Sequence, residues 1–202
     1  MVQNATKMTT AKLNSEFWNN RYIQNQTGWD IGYANPIHID YVLENINKSA
    51  RILIPGAGSG HELSKLWNMG YTNVFAIDLS ITAKKRFLET NPTFPDDHYI
   101  IGDFFELEEK FDLILEQTFF CAIDPKLRSQ YVQKVHNILN TNGKLFGVLF
   151  AINFHDGPPF GGDSEEYNAL FSSQFSIQKL EKSYKSITPR QDKELIIEIM
   201  KK

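Results

Sequence analysis

The stretch ARILIPGAGSGHELSKLWNMGYTNVFAIDLS, residues 50–80, constrains the fold more than any other part of the chain. A short apolar run, Ile52 to Ile54, ends in glycines at 56, 58 and 60. A helical segment follows, then a second apolar run that ends on Asp78. Strand, glycine turn, helix, strand and terminal acid is the form of a nucleotide-binding unit. Glycines at such a turn let the backbone bend tightly and come close to a ligand.

The rest of the chain continues the alternation. Leu13 to Asn25 carries Phe17, Trp18, Tyr22 and Ile23 at helical spacing. TGWDIG, Thr27 to Gly32, breaks that pattern, and Pro36 is placed to open a second helix. Strands are expected at 51–55, 73–77, 98–101, 111–115 and 144–152, with helices at about 61–69, 81–90 and 126–139. FDLIL, Phe111 to Leu115, is apolar enough to be buried on both faces. Asn142-Gly143 reads as a turn, and a short helix is expected over Glu165 to Phe171. Phe175 to Tyr184 and Glu194 to Met200 read as two closing strands with no helix between them. This order predicts an α/β fold with a seven-stranded, mostly parallel sheet, helices on both faces and the last strand antiparallel.

At 202 residues the chain suits a single domain, 1–202. A net charge of −3 and the lack of a dense Lys/Arg run argue against nucleic acid or an anionic membrane as partner. The start is polar and no apolar stretch approaches the ~18 residues of a membrane span. Cys121 is the only cysteine, which fits a reducing compartment. We therefore expect a cytoplasmic monomer acting on a small molecule.

The ligand can be narrowed further. A dinucleotide site would place a third glycine where His61 stands, and no P-loop GK[ST] is present. Asp78 falls twenty residues after Gly58, where a carboxylate can accept from both hydroxyls of a ribose. Asp103, ending the third strand, can accept from an adenine amino group, and the N–H beside it at Phe104 can reach a ring nitrogen. An adenosine held by its sugar and base, with no call for phosphate, fits S-adenosylmethionine best. A nicotinamide-dependent oxidoreductase and a non-catalytic S-adenosylmethionine-binding module remain as alternatives.

RILIPGAGSGHEL, FDLILEQTFFCAIDPKLR, DGPPF and the earlier TGWDIGYANP occur in this order. Together they resemble the thiopurine S-methyltransferase family, most nearly its branch of plant halide and thiol methyltransferases, over about Phe17 to Pro159. The resemblance implies a class I, Rossmann-like methyltransferase fold, S-adenosyl-L-methionine as methyl donor and a small soft nucleophile as acceptor. It implies that residues 1–35 form a segment covering the cofactor, closed over it by Trp18, Tyr22 and Trp29, that Gly56 lies in its glycine loop, and that Asp78, Asp103 and Phe104 hold the adenosine. Gln117 stands where relatives carry a larger Tyr or Arg near the cofactor, and Glu116 where Asp is commoner.

Methyl transfer is an in-line displacement at a sulfonium carbon. It needs alignment, exclusion of water and tolerance of positive charge, for which aromatic faces serve. Trp18, Trp29, Phe119 and Phe120 are candidates for that task. Phe119, Phe120 and Cys121 are expected to wall an acceptor pocket, with Phe154 and Phe160 from the later loop as its roof. Cys121, among apolar residues and without a neighbouring base, reads as lining and not as nucleophile. The histidines show no metal-ligand spacing, so no metal is expected. His61 is expected to serve its own turn, and Arg128 and Arg190 to lie at the surface. His155 beside Asp156 is the one acid–base pair near the loop, and a solvated role is expected for it. The acceptors in view are thiols, bisulfide, halides and thiocyanate, with thiopurines or reduced selenium and tellurium as the alternative. No obligatory general base is expected.

Overall fold

A computed structural model describes residues 13–152, 154 and 157–202. Its elements follow the expected order. Helix α1 spans Ser15–Ile23 and α2 spans Pro36–Asn45. The first half of the sheet then runs β1 (Ile52–Pro55), α3 (His61–Asn68), β2 (Val74–Asp78), α4 (Ile81–Thr90) and β3 (Tyr99–Ile101). The second half runs β4 (Phe111–Gln117), α5 (Arg128–Ile138), β5 (Leu139–Phe150), α6 (Ser164–Phe171), β6 (Phe175–Lys182) and β7 (Glu194–Lys201).

Local chemistry accounts for the element ends. Asn35 caps α2, its side chain accepting from Ile37 N–H, and Pro36 occupies the first turn. Ser80 caps α4 in the same way through Ala83 N–H. The glycine after β1 at position 60 is left-handed (φ +67°) and releases the chain directly into α3. One expectation changes. Asn142-Gly143 does not separate two elements; it lies within β5. Phe111 pairs with Leu139 and Leu113 with Lys144, so the intervening residues of β5 bulge out, with Asn142 at φ +61°.

The sheet order is β3-β2-β1-β4-β5-β7-β6. β1 pairs in parallel with β2 and β4, whereas β7 runs antiparallel to both β5 and β6. Side chains alternate across the sheet as a strand requires. Ile52 and Ile54 join the core beneath α2, α3 and α4, with Leu63, Leu66 and Phe87. Leu53 faces the other way, into the core beneath α5 and α6, with Tyr131, Val135, Tyr167 and Phe171. Each of these side chains is at most 3% exposed, worth roughly 1.5–3 kcal/mol apiece on the area scale, so both helix layers are fixed to the sheet.

This topology positions the site. The chain builds outward from β1 to β3, then returns to place β4 on the other side of β1. The carboxyl ends of β1 and β4 therefore diverge, and an open sheet has its ligand crevice at such a point. No helix among the described residues is long and apolar enough to cross a membrane.

Candidate functional site

A cleft of about 440 Å³ opens at this divergence. Ile54 and the loop Gly56–Ser59 form one wall, and Gln117 and Thr118 from the end of β4 form the other. Trp29, Asp30, Ile31 and Tyr33 close it from the amino-terminal segment, and His61 and Glu62 bound it at the start of α3.

The glycine loop is left-handed at both ligand-facing positions, φ +58° at Gly56 and +54° at Gly58. Neither tolerates a side chain. A Cβ on Gly56 would stand 2.6 Å from Phe119 Cδ2, and one on Gly58 would collide with the Tyr22 hydroxyl. Asp78, at the end of β2, is 8% exposed. Its Oδ2 accepts from Gly58 N–H at 2.9 Å and its Oδ1 from Ser80 N–H at 2.8 Å. Burial pushes its carboxyl upward, against these two donors. Each oxygen still has lone-pair capacity for a further hydroxyl.

Three aromatic residues expected to cover a cofactor come together over this loop. Trp29 meets Trp18 edge-on at 5.5 Å and Tyr22 at 5.8 Å. The Tyr22 phenol is pushed up by burial and then by the nearby charge of Asp78, so it stays protonated. α1 is held to the start of α4 by Asn19, whose Oδ1 accepts from Ser80 Oγ and from Thr82 N–H.

The sequence reading missed the polar ties that hold this cover. Asp30 accepts from the Ser59 hydroxyl, from His61 Nε2 at 2.8 Å and from Gly32 N–H at 2.7 Å. His61 therefore bonds the cover and does not merely serve its own turn. The His61 bond is the main cause that holds the Asp30 carboxyl far below its ordinary value, and the same bond raises the imidazole. Arg190 is a second correction. It is 8% exposed, not at the surface, and donates to Trp29 O at 2.6 Å. Its partner Glu194 lies 3.5 Å away and is 3% exposed. Arg128 is likewise buried, paired with Glu166 and donating to Gly161 O. The isolated sequence signal for these ties was weak; Asp30 following Trp29 in a turn was the only one.

After β4 the chain turns through Thr118, at φ +56°. Glu116, 1% exposed, stabilises that turn. Its Oε1 accepts from Phe119 and Phe120 N–H, and its Oε2 from Tyr131 Oη at 2.7 Å. Gln117 Oε1 accepts from Asn35 Nδ2 at 2.9 Å, so its amide is tied to the start of α2. Behind Thr118 lies a closed niche bounded by Glu116, Cys121, Val148, Leu149, Phe150 and Glu194, packed too tightly to hold a water molecule. Cys121 lines it, and burial pushes the thiol to about 12. Its Sγ donates to Thr118 O.

The expected acceptor wall divides. Phe119 packs against the glycine loop, and Phe160 N–H donates to Cys121 O, tying the later loop to this turn. Phe120 does not line a pocket: it is 1% exposed and packs on Tyr131, Tyr167 and Phe171 in the core. Glu116 directs it there by holding its N–H. Phe154 is 37% exposed and lies edge-on to Phe150. His155 and Asp156 lie outside the described residues. Asp103 is exposed and caps a 3₁₀ turn through Phe105 N–H, while Phe104 is buried against Tyr131 and Phe119. Phe104 opens that turn, so its N–H has no acceptor within it.

A positive-φ glycine loop, a buried acid on the next strand and an aromatic cover fit an adenosine cofactor that carries a cationic sulfur. The comparisons agree. The chain matches the thiopurine S-methyltransferase (TPMT) model over residues 13–202. It is 29% identical over 187 residues to the probable thiol methyltransferase 2 of Arabidopsis thaliana, covering 84% of this chain and 82% of the relative. It is 30% identical over 184 residues to thiocyanate methyltransferase 1 of Brassica oleracea, covering 88% and 81%. A thiopurine S-methyltransferase of Acinetobacter baylyi is 27% identical over 192 residues, covering 83% and 88%. In fold, the chain superposes with a TM-score of 0.74 on 1,6-didemethyltoxoflavin-N1-methyltransferase of Burkholderia thailandensis, solved with S-adenosylhomocysteine. That similarity covers 93% of this chain and 86% of the other at 17% identity. Sheet order, cleft and matched length lead to one conclusion: the chain belongs to the thiopurine S-methyltransferase family and is an S-adenosylmethionine-dependent methyltransferase.

Proposed function

We propose that the methyl acceptor is a small soft nucleophile: a thiol, bisulfide, a halide or thiocyanate. One observation carries this reading. The niche behind Thr118, walled by Cys121, Val148, Leu149 and Phe150, is closed and must part to admit an acceptor, which favours a small one, and its two carboxylates are already engaged. Glu116 accepts three hydrogen bonds, and Glu194 faces Arg190. Such a niche suits a compact, polarisable acceptor that reacts as an anion, a thiol as its thiolate. The thiol and thiocyanate methyltransferases among the relatives support the same class.

Bound S-adenosylmethionine supplies an electrophilic methyl on a positively charged sulfur. In this reading Gly56 and Gly58 admit it against the backbone, Asp78 accepts from the ribose hydroxyls, and Asp103 with the Phe104 N–H takes the adenine. Trp18, Tyr22 and Trp29, in the described part of the covering segment proposed over 1–35 (1–12 lie outside the described residues), exclude water and present ring faces to positive charge. A ring face near a desolvated cation contributes about 0.5–2 kcal/mol. Gln117, immobilised by Asn35, borders the sulfur side, and Phe119 supports the glycine loop from below. The acceptor would approach past Thr118 once that niche parts, with Phe154 and Phe160 on its outer side. Alignment and dehydration then account for the rate, and no side chain is asked to move a proton.

A panel of iodide, bisulfide, thiocyanate, thiophenol, mercaptopurine, hydrogen selenide and hydrogen telluride tests the proposal, with S-adenosylhomocysteine formation as the readout. The small anions should exceed mercaptopurine in kcat/KM by about tenfold or more, because the bicycle does not fit behind Thr118. A preference for mercaptopurine would assign the acceptor to the thiopurine class, and one for hydrogen selenide or telluride to reduced chalcogens; either outcome overturns the proposal.

A further inference from the structure

The methionine end of the cofactor carries an ammonium group. Enclosed in a cleft, that cation needs a hydrogen-bonded acceptor, and an anionic one satisfies it best. The residue that β1 delivers to the cleft is Ile54, which is apolar. Among the lining residues of the cleft, the carboxylates are Asp30 and Glu62. Asp30 is committed to Ser59, His61 and Gly32. Asp78, on the neighbouring strand, gives one oxygen to Gly58 N–H and the other to Ser80 N–H.

Glu62 differs. It stands in the first turn of α3, three residues beyond Ser59, and its side chain is 10% exposed. Its Oε1 accepts from Asn35 N–H at 2.8 Å. Its Oε2 bonds to no other residue among those described, and the side chain borders the cleft. From these facts we propose that Glu62 is the binding residue for the cofactor's α-ammonium group, supplying the negative charge that β1 does not.

The surroundings keep Glu62 charged. Burial pushes its carboxyl up, but the His38 ring and the Asn35 N–H outweigh this, and the net direction is down. His38 Nδ1 lies 3.8 Å from Oε1, and the ring is fully buried with no hydrogen bond of its own. Asn35 extends the arrangement: its backbone holds Glu62 and its side chain holds Gln117. One residue thus sets the spacing between the proposed ammonium acceptor and the far wall of the cleft. This inference rests on the cofactor and is independent of which acceptor is methylated.

Calorimetry with three ligands tests it. S-adenosylhomocysteine carries both ammonium and carboxylate, S-adenosyl-3-thiopropylamine keeps only the amine, and 5′-methylthioadenosine has neither. Glu62→Gln should weaken the first two by about tenfold or more, the scale of a lost hydrogen bond to a charged group, and leave methylthioadenosine within about threefold. Glu62→Asp keeps the charge but withdraws it, and should show the same selective loss if the glutamine variant does not fold. Equal weakening of all three ligands would make Glu62 a structural tie, and unchanged binding of the two amines would remove it from the site; both outcomes overturn the inference.

Discussion

Asp30→Asn should loosen the cover over the cleft without disturbing the sheet. The carboxylate accepts from three donors, and the amide that replaces it offers one neutral acceptor in place of two charged oxygens. The Asp30 side chain is 21% exposed and that of His61 is 32% exposed, so solvent screens the pair in part. A fully buried charged hydrogen bond contributes about 1.5–3 kcal/mol and an exposed ion pair about 0.2–1 kcal/mol. Between these, the loss is about 1–2 kcal/mol, a rise of roughly 5–30-fold in the open population. Hydrogen exchange of peptides covering Thr27 to Tyr33 reads that population directly. The sign with pH follows from the pair itself. Asp30 is lowered, so its contribution is present above its ordinary value and is lost as pH falls through the lowered one. His61 is raised, so its contribution is complete below about 6.5 and is lost as pH rises through the raised value. Protection, corrected for intrinsic exchange, should therefore be greatest between about pH 4 and 6.5 and decline above that window in the wild type only. Unchanged exchange in the variant, or an equal increase across β1 and β4, would refute the assignment of Asp30 as a latch.

Three further outcomes are expected. Asp78→Ala should weaken S-adenosylhomocysteine binding by about tenfold to a hundredfold by calorimetry; because it also frees Gly58 and Ser80 N–H, its melting temperature should fall as well. Arg190→Met should lower urea stability by about 3–5 kcal/mol, since Glu194 is left charged and buried, and Glu194→Gln on the same background should restore part of that loss. Thiol turnover should climb with pH toward the thiol's own pKa while iodide turnover stays nearly flat, as measured by product formation; a shared bell-shaped profile would count against a mechanism without a general base.

Apolar periodicity made the fold legible from the sequence. Helix α4 and strand β4 were readable because Ser80 caps one and FDLIL is buried along its length in the other. The Asn142-Gly143 error has a physical origin. Asn-Gly is a strong hairpin-turn signal in sequence, but here Asn142 alone is left-handed and the pair sits in a bulge. Only the pairing of Leu139 with Phe111 decides between them, and that contact is not local. Phe120 failed for a similar reason. Its neighbour Phe119 meets the glycine loop, whereas Glu116 holds the Phe120 N–H in the 3₁₀ turn after β4 and the Phe120 ring packs into the core, a placement set by a residue four positions back and by distant core partners.

The glycine loop and Asp78 were readable because close backbone approach and a strand-end acid are properties of single residues. The ties Asp30–His61, Asn35–Gln117, Asn35–Glu62 and Arg190–Trp29 were not, because each joins segments far apart in the chain. They explain a feature of the chemistry that composition obscures. Acids surround this cleft, yet most already accept hydrogen bonds from neighbours: Asp30 from the cover, Asp78 from the glycine loop, Glu116 from the turn after β4. A carboxylate so occupied is a poor place to deliver a substrate proton, since protonation would break the bond that positions a wall of the site. In the proposed reading Asp30 and Glu116 act by holding geometry, and an acceptor that arrives already as an anion asks no acid of the site to take a proton.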